Sequence, residues 1–184
     1  KVLLVNDDLE FDSNPDLLGF DNGVYDIQEE CFRPYRFDDY VTWSCGYDFT
    51  PLLKGIKYQE LDEEGNIHTR VIEDDPSGEN KIKKEILEEI FIQIFPTKNT
   101  RELMMYVLAS GLSGRQQEKF FVFNGNGRNG KGWVDEMMEK VLGNYFKILK
   151  TSALTENQRN ISSSAPNSEL ADIHKKRLVI VKEP

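Results

Sequence analysis

Between positions 120 and 132 the chain reads Phe-Phe-Val-Phe and then Asn-Gly-Asn-Gly-Arg-Asn-Gly-Lys-Gly. The continuous apolar run Phe120–Phe123 predicts a strand buried on both faces. Behind the glycines, Val134, Met137, Met138 and Val141 recur at helical spacing, and Gly143-Asn144 ends that helix. A buried strand, a glycine-rich turn and a helix in this order restrict the fold to the α/β class. The turn itself, Gly125-Asn126-Gly127-Arg128-Asn129-Gly130-Lys131, fits G-x-x-x-x-G-K. Glycines let the backbone curl so that N–H groups point inward at phosphate oxygens, and the following helix adds its positive end. Lys131 supplies a full charge to the terminal phosphates, so a nucleotide such as ATP is the expected ligand. The next position usually carries a hydroxyl that ligates Mg2+, but here it is Gly132, and no Ser or Thr follows before Thr151.

A second apolar run, Leu178–Val181, predicts another buried strand, which leads into Lys182-Glu183-Pro184. An acidic residue at the tip of such a strand orients attacking water or magnesium, which makes Glu183 the candidate catalytic and metal-binding carboxylate. Lys182 stands where a second acid would strengthen that assignment. Between the two strands lie a Ser/Asn-rich loop, Ser152–Ser168, and a short helix near Glu169–Ile173.

Upstream the patterning changes. The first ~20 residues are acidic and turn-rich and read as loop. Asp21-Asn22-Gly23 signals a turn before a strand at Val24–Ile27, with further extended pieces at Cys31–Tyr35 and Tyr40–Tyr47. Residues 56–73 predict a hairpin turning over Glu63-Glu64-Gly65-Asn66, and Asp74–Asn80 is the best internal linker. Ile82, Ile86, Ile90 and Ile94 mark one helix ended by Pro96. Asn99 with Glu102 fits a capping box for a second, to Leu112. These signals divide the chain into an acidic α+β linking module (1–80), a helical hairpin (81–115) and the first part of a nucleotide-binding core (116–184).

Charge follows the same division. Residues 1–80 hold 6 Lys and Arg against 20 Asp and Glu, a net of −14, whereas residues 81–184 hold 17 against 12, a net of +5. Any nucleic-acid contact is therefore expected in the back half. Two cysteines are too few for a zinc site or a disulfide scaffold and suit an intracellular, reducing compartment. No stretch approaches the ~18 apolar residues of a membrane span. His68 and His174 read as solvated side chains and Trp133 as packing rather than base contact. Arg159 and Lys175–Arg177 are candidates for a DNA or subunit surface.

Three blocks resemble the superfamily 3 helicases of the poxvirus-type helicase–primase ATPases, found in large DNA viruses and more distantly similar to phage and plasmid primases. The first is Gly19-Phe20-Asp21-Asn22-Gly23-Val24-Tyr25-Asp26, followed by Arg33-Pro34, Asp39-Tyr40 and Gly46-Tyr47-Asp48. The second is Phe123–Lys131 with Leu142-Gly143-Asn144-Tyr145. The third is Glu169-Leu170-Ala171 with Lys176–Glu183. The resemblance implies a P-loop NTPase core of AAA+-like type, truncated after its second motif, and a collar-like or linking role for residues before ~115. It also implies ATP and Mg2+ as cofactors, single-stranded DNA at a replication fork as partner, a homo-hexameric ring and a primase domain in the same polypeptide. The place of work would be an intracellular viral replication site. Two rivals differ in class. A nucleoside monophosphate kinase suits the length but opens on its phosphate loop, whereas a non-hydrolysing P-loop module for assembly or DNA binding suits Gly132 and Lys182.

Overall fold

The computed structural model describes residues 10–51, 54–73, 78–125, 127–151 and 171–182. Two sheets and three helices make a mixed α/β structure. The front sheet has five strands in sequence order: β1 (Leu17–Phe20), β2 (Gly23–Asp26), β3 (Cys31–Arg33), β4 (Lys57–Leu61) and β5 (Ile67–Val71). All neighbours are antiparallel except β3 and β4, whose short parallel pairing needs the long crossover through residues 34–56. The helices are α1 (Glu79–Ile94), α2 (Lys98–Ser110) and α3 (Lys131–Leu142). A 3-10 turn, Gly143–Tyr145, leads into β6 (Phe146–Lys150), which pairs in parallel with β7 (Leu178–Lys182).

One buried cluster draws on all three segments expected from the sequence, 1–80, 81–115 and 116–184. Leu18, Phe20 and Phe32 of the front sheet meet Phe91, Met104 and Leu108 of the first two helices, and Val134, Met138, Leu142, Tyr145 and Phe146 behind the glycine loop. The helical spacing holds for α3, where Val134, Met138 and Leu142 face inward at every fourth position. The hairpin expected over 56–73 is present as β4 and β5. Its turn is built on Asp62, whose carboxylate accepts from the Glu64 and Asn66 amides and from His68 Nε2 at 2.8 Å. With His68 and Asn66 bound to it, the Asp62 carboxyl is pulled down to about 2. His68 is half exposed, yet it closes the turn rather than pointing free into solvent.

Several expectations change. Leu17–Phe20, at the end of the stretch expected as loop, is strand β1, and all four residues are buried, Leu18 and Phe20 within the central cluster. Tyr40–Tyr47 forms no strand. It is an irregular segment pinned to β1 by Cys45 N–H donating to Gly19 and by Asp21 N–H donating to Tyr47. The capping box at Asn99 does not form: α2 starts at Lys98 behind Thr97, two residues before the Thr100 start expected from that box, and Glu102 reaches Lys98 Nζ at 3.7 Å instead. On α1 the isoleucine row is largely exposed (Ile82 56%, Ile86 52%), and the helix meets the cluster only near its end, through Phe91 and Ile94. Phe120–Phe123, expected as a buried strand, is irregular, with Phe120 82% and Val122 77% exposed. An apolar run becomes a buried strand only beside a partner strand, and among the described residues none pairs with it. Of the P-loop NTPase core expected over 116–184, the described residues therefore form α3, β6 and β7, not a closed core. The Ser152–Ser168 loop, Arg159, the first two residues of the expected Glu169–Ile173 helix and part of the Asp74–Asn80 linker lie outside the described residues. No helix among those described is long and apolar enough to cross a membrane.

Candidate functional site

The glycine loop closes on the carbonyl of Gly125. Gly127 N–H donates to it at 2.9 Å and Lys131 Nζ at 3.3 Å. A Cβ at Gly125 would collide with the Asn129 carboxamide and stand 3.1 Å from Lys131 Nζ, so a side-chain amide and an ammonium converge over that one residue. Gly127, Arg128 and Gly130 all have left-handed φ values (+72°, +48° and +80°), which curl the segment into the start of α3. Gly130 caps that helix, and a Cβ there would lie 2.6 Å from Ile94, which seats the loop on the end of α1. Trp133 packs edge-on against Phe91 at 6.2 Å, as packing predicts. A Cβ on Gly132, by contrast, would meet nothing within 4 Å. Asn126 and Glu183 lie outside the described residues.

The end of β7 is brought to the same helix. Lys182, a misfit in the sequence pattern, places Nζ 3.2 Å from Asp135, four residues on from Lys131. Thr151 lies beside it at the end of β6, its hydroxyl donating to the Lys182 carbonyl at 2.6 Å. Asp135 is the member of this site that sequence reasoning missed. Its signal was the four-residue spacing that puts it on the Lys131 face of α3. An amine, a carboxamide and amides at a helix start suit a nucleotide's phosphates. Among the described residues no group of three or more His, Cys, Asp or Glu is arranged to hold a metal.

The basic run Lys175–Arg177 is engaged by contacts within the chain. Lys175 donates to the Phe11 carbonyl, and Lys176 Nζ lies 4.5 Å over the Trp43 ring. Arg177 lies over the Tyr145 ring at 4.6 Å and donates to the Leu17 and Leu112 carbonyls, binding the start of β7 to β1 and to the chain after α2. Tyr145 completes the joint. Its hydroxyl donates to the Trp43 carbonyl at 2.7 Å and accepts from Gly19 N–H at 3.2 Å, and burial pushes its ionisation up to about 12. A Cβ at Gly19 would overlap the Trp43 carbonyl, and one at Gly143 the Cys45 carbonyl. Motif glycines of the front and back halves thus both lie close against the backbone of the Trp43–Cys45 segment. The other motif pair, Arg33 and Asp39, is a buried two-bond ion pair at 2.9 Å with Asp26 beside it.

Residues 3–92 match the family model described as "D5 N terminal like". A "Putative helicase" of Acanthamoeba polyphaga mimivirus is 33% identical over 162 residues, covering 88% of this chain and 14% of its own length. "Primase D5" of Fowlpox virus is 29% identical over the whole chain, and "Uncoating factor OPG117" of Vaccinia virus is 28% identical over 96% of it. The chain spans only 14–20% of the length of these relatives. Residues 3–92 thus carry a D5 N-terminal-like region, and the likeness to helicases and primases of large DNA viruses continues from there through the glycine loop.

Proposed function

We propose that this chain contributes the first part of a P-loop ATPase core, of AAA+-like type, to a helicase–primase that acts in viral DNA replication. The observation that carries the proposal is the convergence of Asn129 and Lys131 on Gly125 at the start of α3, a cradle of donors that includes the Lys131 ammonium. ATP would lie with its phosphates on Gly125–Lys131, and Gly132 would leave room beside them. Glu183 would act on the attacking water, and Mg2+ would accompany the nucleotide. The partners that follow are single-stranded DNA at the fork, a ring of six copies and a primase region in the same polypeptide, all at an intracellular replication site. The front half, net −14, repels a phosphate backbone, so DNA contact belongs to the back half.

The test is Lys131→Ala in the full-length protein, read by titration with a fluorescent ATP analogue. A charge-assisted bond is worth about 1.5–3 kcal/mol, so affinity should fall by about 10–150-fold. Unchanged affinity would overturn nucleotide binding by this loop. A second reading, a P-loop module that binds nucleotide and assembles without hydrolysis, is favoured by Gly132 and by a lysine at the end of β7. Nucleotide-dependent ring assembly with no Lys131-dependent turnover would select it.

A further inference from the structure

We propose that Asp135 holds the divalent cation of the bound nucleotide, through a coordinated water, in place of the hydroxyl that Gly132 lacks. Lys182 is then the counterion of that carboxylate when no cation is present. The proposal rests on nucleotide binding by the glycine loop and deepens it.

Residues three and four apart on a helix are neighbours, so Asp135, three residues beyond Gly132 and four beyond Lys131, shares their face of α3 without touching the Gly132 position. The space above Gly132 is open to 4 Å. The Asp135 side chain is only 18% exposed, and it pairs with Lys182 at 3.2 Å. A half-buried carboxylate needs such a cation beside it, because an unpaired buried charge is strongly destabilising. Magnesium demands oxygen ligands and keeps several waters, so a carboxylate one water away suits it. Lys182 is itself 42% exposed and comes from the end of β7, so it can leave Asp135 for solvent or for a phosphate oxygen when a doubly charged ion arrives. One carboxylate thus serves two cations in turn.

The experiment uses full-length protein and a fluorescent, non-hydrolysable ATP analogue, titrated with MgCl2 and compared with EDTA. Asp135→Asn should raise the Mg2+ concentration for half-maximal tightening by about 10–100-fold, the usual cost of losing an outer ligand, and leave the affinity in EDTA unchanged. Lys182→Met should leave that concentration unchanged or lower it, since it removes only the competitor. Adding Gly132→Ser to Asp135→Asn should restore Mg2+ sensitivity, a rescue that lost packing would not give. A wild-type Mg2+ dependence in Asp135→Asn overturns the proposal. So does a rise of equal size in Lys182→Met, which would make the pair a structural brace. Wild-type protein that fails to bind the analogue at all would instead overturn nucleotide binding by the loop, and this proposal with it.

Discussion

Single positions at the joint between front and back halves have little latitude. Gly143 ends α3 with φ +48° and ψ −117°, and its α-carbon faces the Cys45 carbonyl where any Cβ would overlap. Gly143→Ala should therefore lower stability by about 1–3 kcal/mol through overpacking, read as a lower urea midpoint with an unchanged slope. The sequence marks Gly143 as a helix stop, which it is. It carries no sign of Cys45, because a close approach between distant segments has no local pattern. Lys182 is the converse case. In the sequence it is an unwelcome lysine, and only its reach to Asp135 gives it a place. Tyr145 hid in the same way, since a buried hydroxyl shared between Gly19 and Trp43 looks in sequence like any tyrosine after a helix.

At the scale of elements, α3, β7 and the 57–71 hairpin were legible because periodicity, apolar runs and turn chemistry agree there. Strand β1 was hidden by its acidic, turn-forming neighbours, and β6 by lysines at its second and last positions, Lys147 and Lys150, which mask its apolar centre. The opposite failure is Phe120–Phe123, where composition demands a strand and no partner lies beside it among the described residues. An unpaired run of this apolarity invites association with other chains. In the isolated 184-residue chain, Phe120→Lys with Val122→Lys should reduce self-association in light scattering, with stability changed by no more than about 0.5 kcal/mol, since both side chains face outward. In the full-length protein the same pair should weaken ATP-analogue binding if this run becomes the strand that supports the glycine loop. Equal binding in both proteins would count against that role.

For the molecule as a whole, the charge division between front and back halves suggested separate modules, yet hydrophobic packing joins them. Net charge governs solvation and partners; the buried face of β1 is covered by side chains from α2, α3 and the 3-10 turn. Unfolding of the isolated chain should follow one transition. Far-UV circular dichroism and the fluorescence of Trp43, in the front half, and Trp133, in the back, should give superimposable urea curves. Two separated midpoints would show that the halves fold independently.

The bond from Arg177 to the Leu17 carbonyl closes a span of 160 residues, and that from Gly19 to Tyr145 a span of 126. A polypeptide leaves the ribosome N-terminus first, at ~5–20 residues per second. Leu17 and its neighbours must then wait roughly 8–30 s for the guanidinium that ties them down; Phe20 meets Phe32, Tyr47 and Phe49 early, but the helices that complete the cluster come late. The front sheet is the first part of this chain to be synthesised and among the last to be finished, and a cell making it must shelter an apolar surface in the meantime.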